Sequence, residues 1–522
     1  ENTILALETS SEELGYVMSV YWHLFGSESD KDLKALAEKI APMGSKFQND
    51  ILLNSKLFDK IKIVYKNKGN ENLDDEDIRL IDVTYKNFVR NGADLNKEDK
   101  EKIRKIDQKL SLLSPKFSNN VLNAQNKYEL WIENEKDLEG LPVSSINMAK
   151  ESAAQKGQPK KWLFTLQYPS MGPFLNYAKN RELRKELFLA YGGLCHNDEF
   201  NNNKIIKEIV QLKHKRANLL GFDTFADYVL EDRMAQSVAT VYNFLNDLYD
   251  NCYEKAKDEV EELKNYAKKL DGLDDFKQWD HSYYSTKLKK DKFNIDPEML
   301  RPYFKAENVI NGIFKVANKM YEIEFKEIND ADTWHEEVKC YKVINNDNSL
   351  VGLIYIDLHP RPTKRSGAWM NSIKDNGLYK GEIRRPHVQF TANLTRSTKD
   401  KPALLTFGEV ETVFHEFGHC LHGLLSDCKY VTIGNTNVKW DFVELPSQIM
   451  ENWVSEKEAL NLFAHHFETD EAIPEELIQK IKDSKNFGAA TMYLRQLVFG
   501  YIDMAWHTRL EPVEDIEEFE GK

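Results

Sequence analysis

Long hydrophobic runs are missing from this chain of 522 residues. A membrane-spanning helix needs roughly 20 consecutive apolar residues; nothing here approaches that, so a soluble protein with no membrane partner is expected. Cysteine is scarce. The five residues Cys195, Cys252, Cys340, Cys420 and Cys428 are odd in number and widely scattered, which argues against a disulfide framework, and no CxxC pair offers a thiolate metal site. Basic excess is absent as well. A formal net charge of −14 leaves no cationic face of the kind nucleic acid or anionic lipid requires, and reads instead as a solvated helical surface. No repeat at a solenoid period is visible. What is present is an ordinary globular composition, 41% hydrophobic and 30% charged, which at this length implies two or three packed units. A monomer is expected.

The cysteine usage favours a reducing compartment, so the cytoplasm is the expected location. A periplasmic one stays open. "ENTILALETS" at the start reads as the middle of an amphipathic helix, and "EDIEEFEGK" at the end brings no closing element. A leader and a further segment are therefore expected outside the sequence.

The first half reads as helix after helix. "SESDKDLKALAEKIAPMGSKF", "EDKEKIRKIDQKLSLLSPKFSNNVLNAQNKYEL" and "NDLYDNCYEKAKDEVEELKNYAKKL" space apolar residues at three and four. Ser29 and Asp30 precede the first as caps, and Gly272 closes the last. Strand signals cluster late. "KWLFTLQYP" (161–169), a hairpin over 338–358 turning at Asn345 to Asn348, and "HVQFTANL" (387–394) are the candidates. The fold expected is mainly α with a small sheet next to one special helix, where a strand edge could hold an extended peptide by its backbone.

That helix is "EVETVFHEFGHCLHGLL", 409–425. His415 and His419 lie four apart, on one face and one turn from each other, so both imidazoles can reach one zinc at about 2.0–2.1 Å. Glu416 points about a third of a turn away, where it can take a proton from a water without occupying the metal. A chance HExxH is expected about 0.03 times in such a chain. His422 returns to the same face, but three ligands along one straight helix at about 1.5 Å per residue spread too far for a tetrahedral ion. It is read as supporting or structural. A metzincin-type third histidine would fall at Leu425, so the third ligand has to be a carboxylate from a later segment. In "NVKWDFVELPSQIMENWVSEKEAL", Asp441 and Glu444 have the form of a capping box, with Pro446 tolerated only in the first turn. Glu444 is the better ligand candidate and Glu451 a plausible acceptor behind a ligand histidine; Asp427 and Asp441 compete.

These stretches resemble the thimet oligopeptidase, neurolysin and dipeptidyl carboxypeptidase family of zinc metallopeptidases. "FHEFGHCLHGLLSD", "GNTNVKWDFVELPSQIMENW", "LIYIDLHPRPTKRSGAW", "KPALLTFGEVETVFHEFGH" and "ENTILALE" carry the likeness, which is closest to bacterial peptidyl-dipeptidases and covers essentially the whole chain. The resemblance implies one Zn2+ held by His415, His419 and Glu444, with Glu416 as general base. It also implies a helical two-lobed body around a deep channel that admits unstructured oligopeptides. A helical region over 1–170 and a catalytic region over 171–522 are expected, with lobes discontinuous in sequence. Release of C-terminal dipeptides is the expected activity, and internal cleavage of oligopeptides the alternative. A non-catalytic peptide-binding scaffold is the rival from another class, opposed by the intact HExxH and Glu444. The family's Gly- and Tyr-rich segment, which binds substrate and the tetrahedral intermediate, has no counterpart here. Tyr493 and Tyr501, on the apolar helix "ATMYLRQLVFGYIDMAW", are expected in the core. "NLT" at 393–395, a sequon by pattern, is read as chance within a strand.

Overall fold

The computed structural model describes residues 2–379 and 381–521. Local sequence accounts for most of its helices. Helix α1 (Glu12–Ser27) is followed by α2 (Lys31–Leu52), which Asp30 caps by accepting the Leu33 N–H at 2.8 Å. The side chain of Ser29 takes no part. Helix α3 (Asp75–Arg90) opens with a reciprocal cap between Asp74 and Asp77, and α4 (Lys97–Lys127) with Asn96. Helix α5 (Val238–Asp271) ends where expected, at a left-handed Gly272 with φ of 68°, a conformation that costs glycine nothing. The "ENTILALETS" stretch forms the short helix Ile4–Ser10.

The two short strands Leu130–Ile132 and Trp162–Phe164 pair antiparallel. Their cluster unites Phe164 and Leu166 with Met171, Phe174 and Leu187, so the chain crosses residue 170 inside one core.

After helix α6 (Ala306–Tyr321) come β1 (Ile323–Ile328), β2 (Lys339–Asn345), β3 (Leu350–Asp357), β4 (Trp369–Lys374) and β5 (His387–Thr391). They form one sheet in the order β1-β2-β3-β5-β4, antiparallel except for β3 beside β5. The β2–β3 turn is the predicted one, with Asn348 at φ of 64°. The polar pattern of "IEFKEI" hid β1, an edge strand whose residues are mostly not buried. The short β4 was hidden by its Trp-Met-Asn-Ser alternation. The strand over "HVQFTANL" stops at Thr391; Asn393 lies beyond it and donates its amide to the carbonyls of Arg365 and Gly367 at 2.9 and 2.6 Å.

Helix α7 (Phe407–Leu424) lies on one face of this sheet, and its Phe414, Phe417 and Leu421 share a core with Val388, Phe390 and Ile354. Helix α8 (Leu445–Glu451) then folds back on α7. Helix α9 (Ala489–His507) packs on α5. Here the expectation for Tyr493 fails. The helix is apolar nearly all round but buries one face, through Leu497 and Met504 against Leu245, so Tyr493 is left 53% exposed. Tyr501 sits at the margin of that cluster and donates to the Asn246 side chain at 2.7 Å. Among the described residues no helix is long and apolar enough to cross a membrane.

Candidate metal centre

The start of α7 is fixed twice over. Thr406 and Glu409 form a reciprocal N-terminal cap, and the buried Glu409 carboxylate also accepts from the Thr395 N–H at 2.6 Å and its hydroxyl at 2.8 Å. The helix is thereby pinned to the chain leaving β5. One turn apart on it, the His415 and His419 rings lie 5.1 Å centre to centre and nearly perpendicular, at 83°.

Glu444 comes to them from the residue before α8. Its Oε2 is 3.1 Å from Nε2 of His415 and 3.1 Å from Nε2 of His419. The Ser447 hydroxyl donates to the same carboxylate at 2.9 Å. Among the described residues these three side chains are the group of histidines, cysteines and acids close enough to hold an ion, with donor atoms within 4.8 Å of one another. Two donors at about 2.05 Å from a tetrahedral zinc stand roughly 3.3 Å apart, so the donor set and its spacing fit that metal.

The approach of α8 has a visible cause. A Cβ on Gly418 would lie 2.6 Å from the Ser447 Cα and 2.7 Å from the Pro446 carbonyl oxygen. Glycine in mid-helix costs about 1 kcal/mol of propensity, and here its bareness lets the two backbones meet. The predicted capping box between Asp441 and Glu444 does not form. Glu444 occupies the cap position without a side-chain cap bond, while Pro446 is in the first turn as expected. Asp441 instead accepts the N–H groups of Met234 and Ala235, both at 3.0 Å, which draws it away from the histidines.

Glu451 bonds the other nitrogen of His415, with Oε1 2.7 Å from Nδ1. This contact raises the His415 pKa, while burial lowers that of His419. Glu416 is buried, and burial pushes its carboxyl up to about 7, with the His415 ring opposing and the Glu444 charge adding to the rise. His422 is not in the three-residue group, and its Nδ1 is buried without a partner among the described residues. Ser447 and Gly418 escaped the sequence reading; an isolated glycine inside a helical pattern is the signal that points to such a close approach.

The profile of "Peptidase family M3" matches residues 174–520. Oligopeptidase A of Salmonella typhimurium (strain LT2) is 35% identical over 519 residues, covering 98% of this chain and 76% of that protein. Dipeptidyl carboxypeptidase of Escherichia coli (strain K12) is 32% identical over 524 residues, 99% and 76% of the two chains. A solved structure described as an oligoendopeptidase F from Bacillus anthracis str. Ames superposes with a TM-score of 0.53 at 15% identity, over 98% of this chain and 73% of that one; that likeness speaks to the fold. With a family match over more than half its length and relatives aligned nearly end to end, the chain belongs to peptidase family M3 and is a metallopeptidase.

Proposed function

We propose that the chain hydrolyses short unstructured peptides with one zinc ion held by His415, His419 and Glu444. The observation that carries this reading is the single Glu444 oxygen at 3.1 Å from both Nε2 atoms, with the three donor atoms within 4.8 Å of one another. Zinc bound there supplies a Lewis acid that lowers the pKa of a water and polarises the scissile carbonyl. Glu416 takes the proton of the attacking water and hands it to the leaving amine; a carboxyl pushed up to about 7 suits both transfers near neutral pH. Glu451 sets the His415 ring so that Nε2 points at the metal position, and the Ser447 hydroxyl steadies Glu444. Residues 171–522 carry the chemistry in this reading, and the helices of 1–170 supply a wall for the substrate.

Glu416→Gln is expected to keep zinc and lose turnover by orders of magnitude; undiminished hydrolysis would refute its role as base. Glu444→Ala is expected to weaken zinc binding far more than Asp441→Ala, and equal zinc content in the two by elemental analysis would overturn the third-ligand assignment.

The mode we propose is release of C-terminal dipeptides, supported by the likeness to dipeptidyl carboxypeptidase. The slightly higher identity to proteins named oligopeptidase A favours a second reading, cleavage without a requirement for a free C-terminus. Mass spectrometry of digests of free and C-amidated peptides separates the two.

A further inference from the structure

Glu444 reaches the metal position without help from its own helix. It stands at the residue before α8 with no side-chain cap bond, and its side chain is 52% exposed. A ligand has to be held to about 0.5 Å to serve one metal geometry, so the backbone that carries this long, half-free side chain must itself be fixed. Two tight turns lead into α8. The Phe442 N–H donates to the Lys439 carbonyl at 2.9 Å, and the Leu445 N–H to the Phe442 carbonyl at 3.0 Å. The first turn is fastened to a distant segment, 232–235, by three separate contacts. The Asp441 carboxylate accepts one N–H on each oxygen, Met234 on Oδ1 and Ala235 on Oδ2, both at 3.0 Å. Lys439 pairs with Asp232. The Arg233 guanidinium lies 6.0 Å from the Trp440 ring, at the limit of cation–π range.

The segment that receives these contacts is firmly placed. Just beyond it, Ser237 caps α5 by accepting the Thr240 N–H at 3.1 Å. At 34 residues α5 is the longest helix among the described residues, and it packs along α9. Between the segment and the cap, Gln236 has a φ of 62°. A left-handed residue other than glycine is strained and persists where its surroundings over-determine it. The two N–H groups ahead of that strained residue are successive and converge on one carboxylate, an arrangement that favours an anion. Asp441 and Trp440 are themselves exposed, so the joint buries little apolar surface. What it supplies is direction: the chain entering α8 is tied to the α5 end of the body three residues before the ligand.

We infer that Asp441 is a positioning residue of the metal centre, acting through Glu444 by locking the turns of 439–445 onto segment 232–235. It touches neither the metal position nor the two histidines. Ser447 steadies the Glu444 carboxylate from its own side, and Asp441 fixes the backbone from which that carboxylate starts. The inference rests on the reading of Glu444 as the third zinc ligand and adds to it the means by which that ligand is held.

The test measures zinc affinity of the full chain by calorimetry. Asp441→Ala removes both acceptor oxygens and is expected to lower affinity about tenfold, the lower end of the range for groups behind a metal ligand. Asp441→Asn keeps one acceptor oxygen and is expected to recover part of that, losing about threefold. Lys439→Met breaks the same joint at its pair with Asp232 and is expected to lose about twofold to threefold. Each variant is then remade on Glu444→Ala. Residues that act through one another are non-additive, so the further loss is expected to shrink below twofold once Glu444 is gone. A general loosening of the fold would instead lower affinity by the same factor in both backgrounds. That result overturns the inference, and so does parent affinity in Asp441→Ala. Should Asp441→Ala fail to fold, Asp441→Asn and Lys439→Met carry the same comparison. Parent affinity in Glu444→Ala alone would refute the ligand assignment and this inference with it, whereas a weak Glu444→Ala beside a parent-like Asp441→Ala refutes this inference only.

Discussion

Gly418 and Ser447 stand so close that a single added carbon at position 418 would meet the Ser447 Cα at 2.6 Å. The obstruction is backbone, which cannot swing aside as a flexible side chain would. Gly418→Ala is therefore expected to push α8 outward and carry Glu444 off the two imidazoles. Overpacking of this kind costs about 1–3 kcal/mol in stability, and zinc affinity is expected to fall at least tenfold. Gly408→Ala on the same helix meets nothing among the described residues within 4 Å of its Cβ position and is expected to change neither. Competition with a zinc-sensitive dye measures both variants, and equal affinities would contradict the account.

How much of this was legible beforehand follows from the range of each interaction. The HExxH helix, its extent and the pair His415 and His419 are local facts, fixed by spacing within one element. Glu444 was reachable because a carboxylate donor was required and few were near in sequence. The proposed capping role of Asp441 was not, because its partners Met234 and Ala235 lie about two hundred positions away. A bond to a distant backbone outcompeted the local motif. Tyr493 failed for a related reason. An apolar helix gives no sign of which face its neighbour will cover, and α5 covers the side of Leu497. Strand β4, with a single paired edge, carries too short and mixed a pattern to be seen alone.

His23 gives the protein a built-in acid sensitivity. It is 3% exposed, packed edge-on against Trp334 at 4.1 Å, with Nε2 lacking a partner among the described residues. Burial lowers its pKa from 6.5 to about 4, against the pull of Asp357. The unfolded chain therefore takes up a proton as pH falls through about 6.5, while the folded one resists until about 4. Stability is fully present above that window and is lost within it, by on the order of 3 kcal/mol. Urea unfolding at pH 7.5 and 4.5 measures it. His23→Phe is expected to show a smaller loss between the two pH values than the parent by about that amount; parallel losses would rule His23 out as the source.

Asp357 holds the region around α1 to the sheet. It is fully buried and takes the Arg361 guanidinium at 2.7 and 2.8 Å and the Lys364 ammonium at 2.8 Å. Arg361 in turn donates to the Ser27 carbonyl at 3.0 Å and the Glu28 carboxylate at 2.9 Å. These cations hold the Asp357 pKa down to about 2 against its burial. Removing the acid leaves the buried Lys364 ammonium without a carboxylate and Arg361 with Glu28 alone, so Asp357→Ala is expected to cost about 3–5 kcal/mol. Asp357→Ala with Lys364→Met removes charge from both sides and is expected to recover part of that loss in chemical denaturation. No recovery would mean that the hydrogen bonds to neighbouring backbone, and not the charges, dominate.

Glu451 tests whether the ring of His415 is aimed or merely present. The carboxylate oxygen lies 2.7 Å from Nδ1 and turns Nε2 toward the Glu444 oxygen. Glu451→Gln keeps an acceptor oxygen of the same reach but loses the charge that raises the His415 pKa. Glu451→Ala loses both. If aiming dominates, the glutamine variant holds zinc nearly as well as the parent and the alanine variant loses 10–100-fold, the usual range for partners behind a metal ligand. If charge dominates, both lose affinity alike, and raising the pH restores neither, because without the carboxylate that raises its pKa the ring is already the more readily deprotonated. Zinc titrations at pH 6.5 and 8 distinguish these outcomes. The expected one is near-parent affinity for Glu451→Gln at both pH values, because the 2.7 Å bond fixes which nitrogen faces the metal position whether or not its acceptor is ionised.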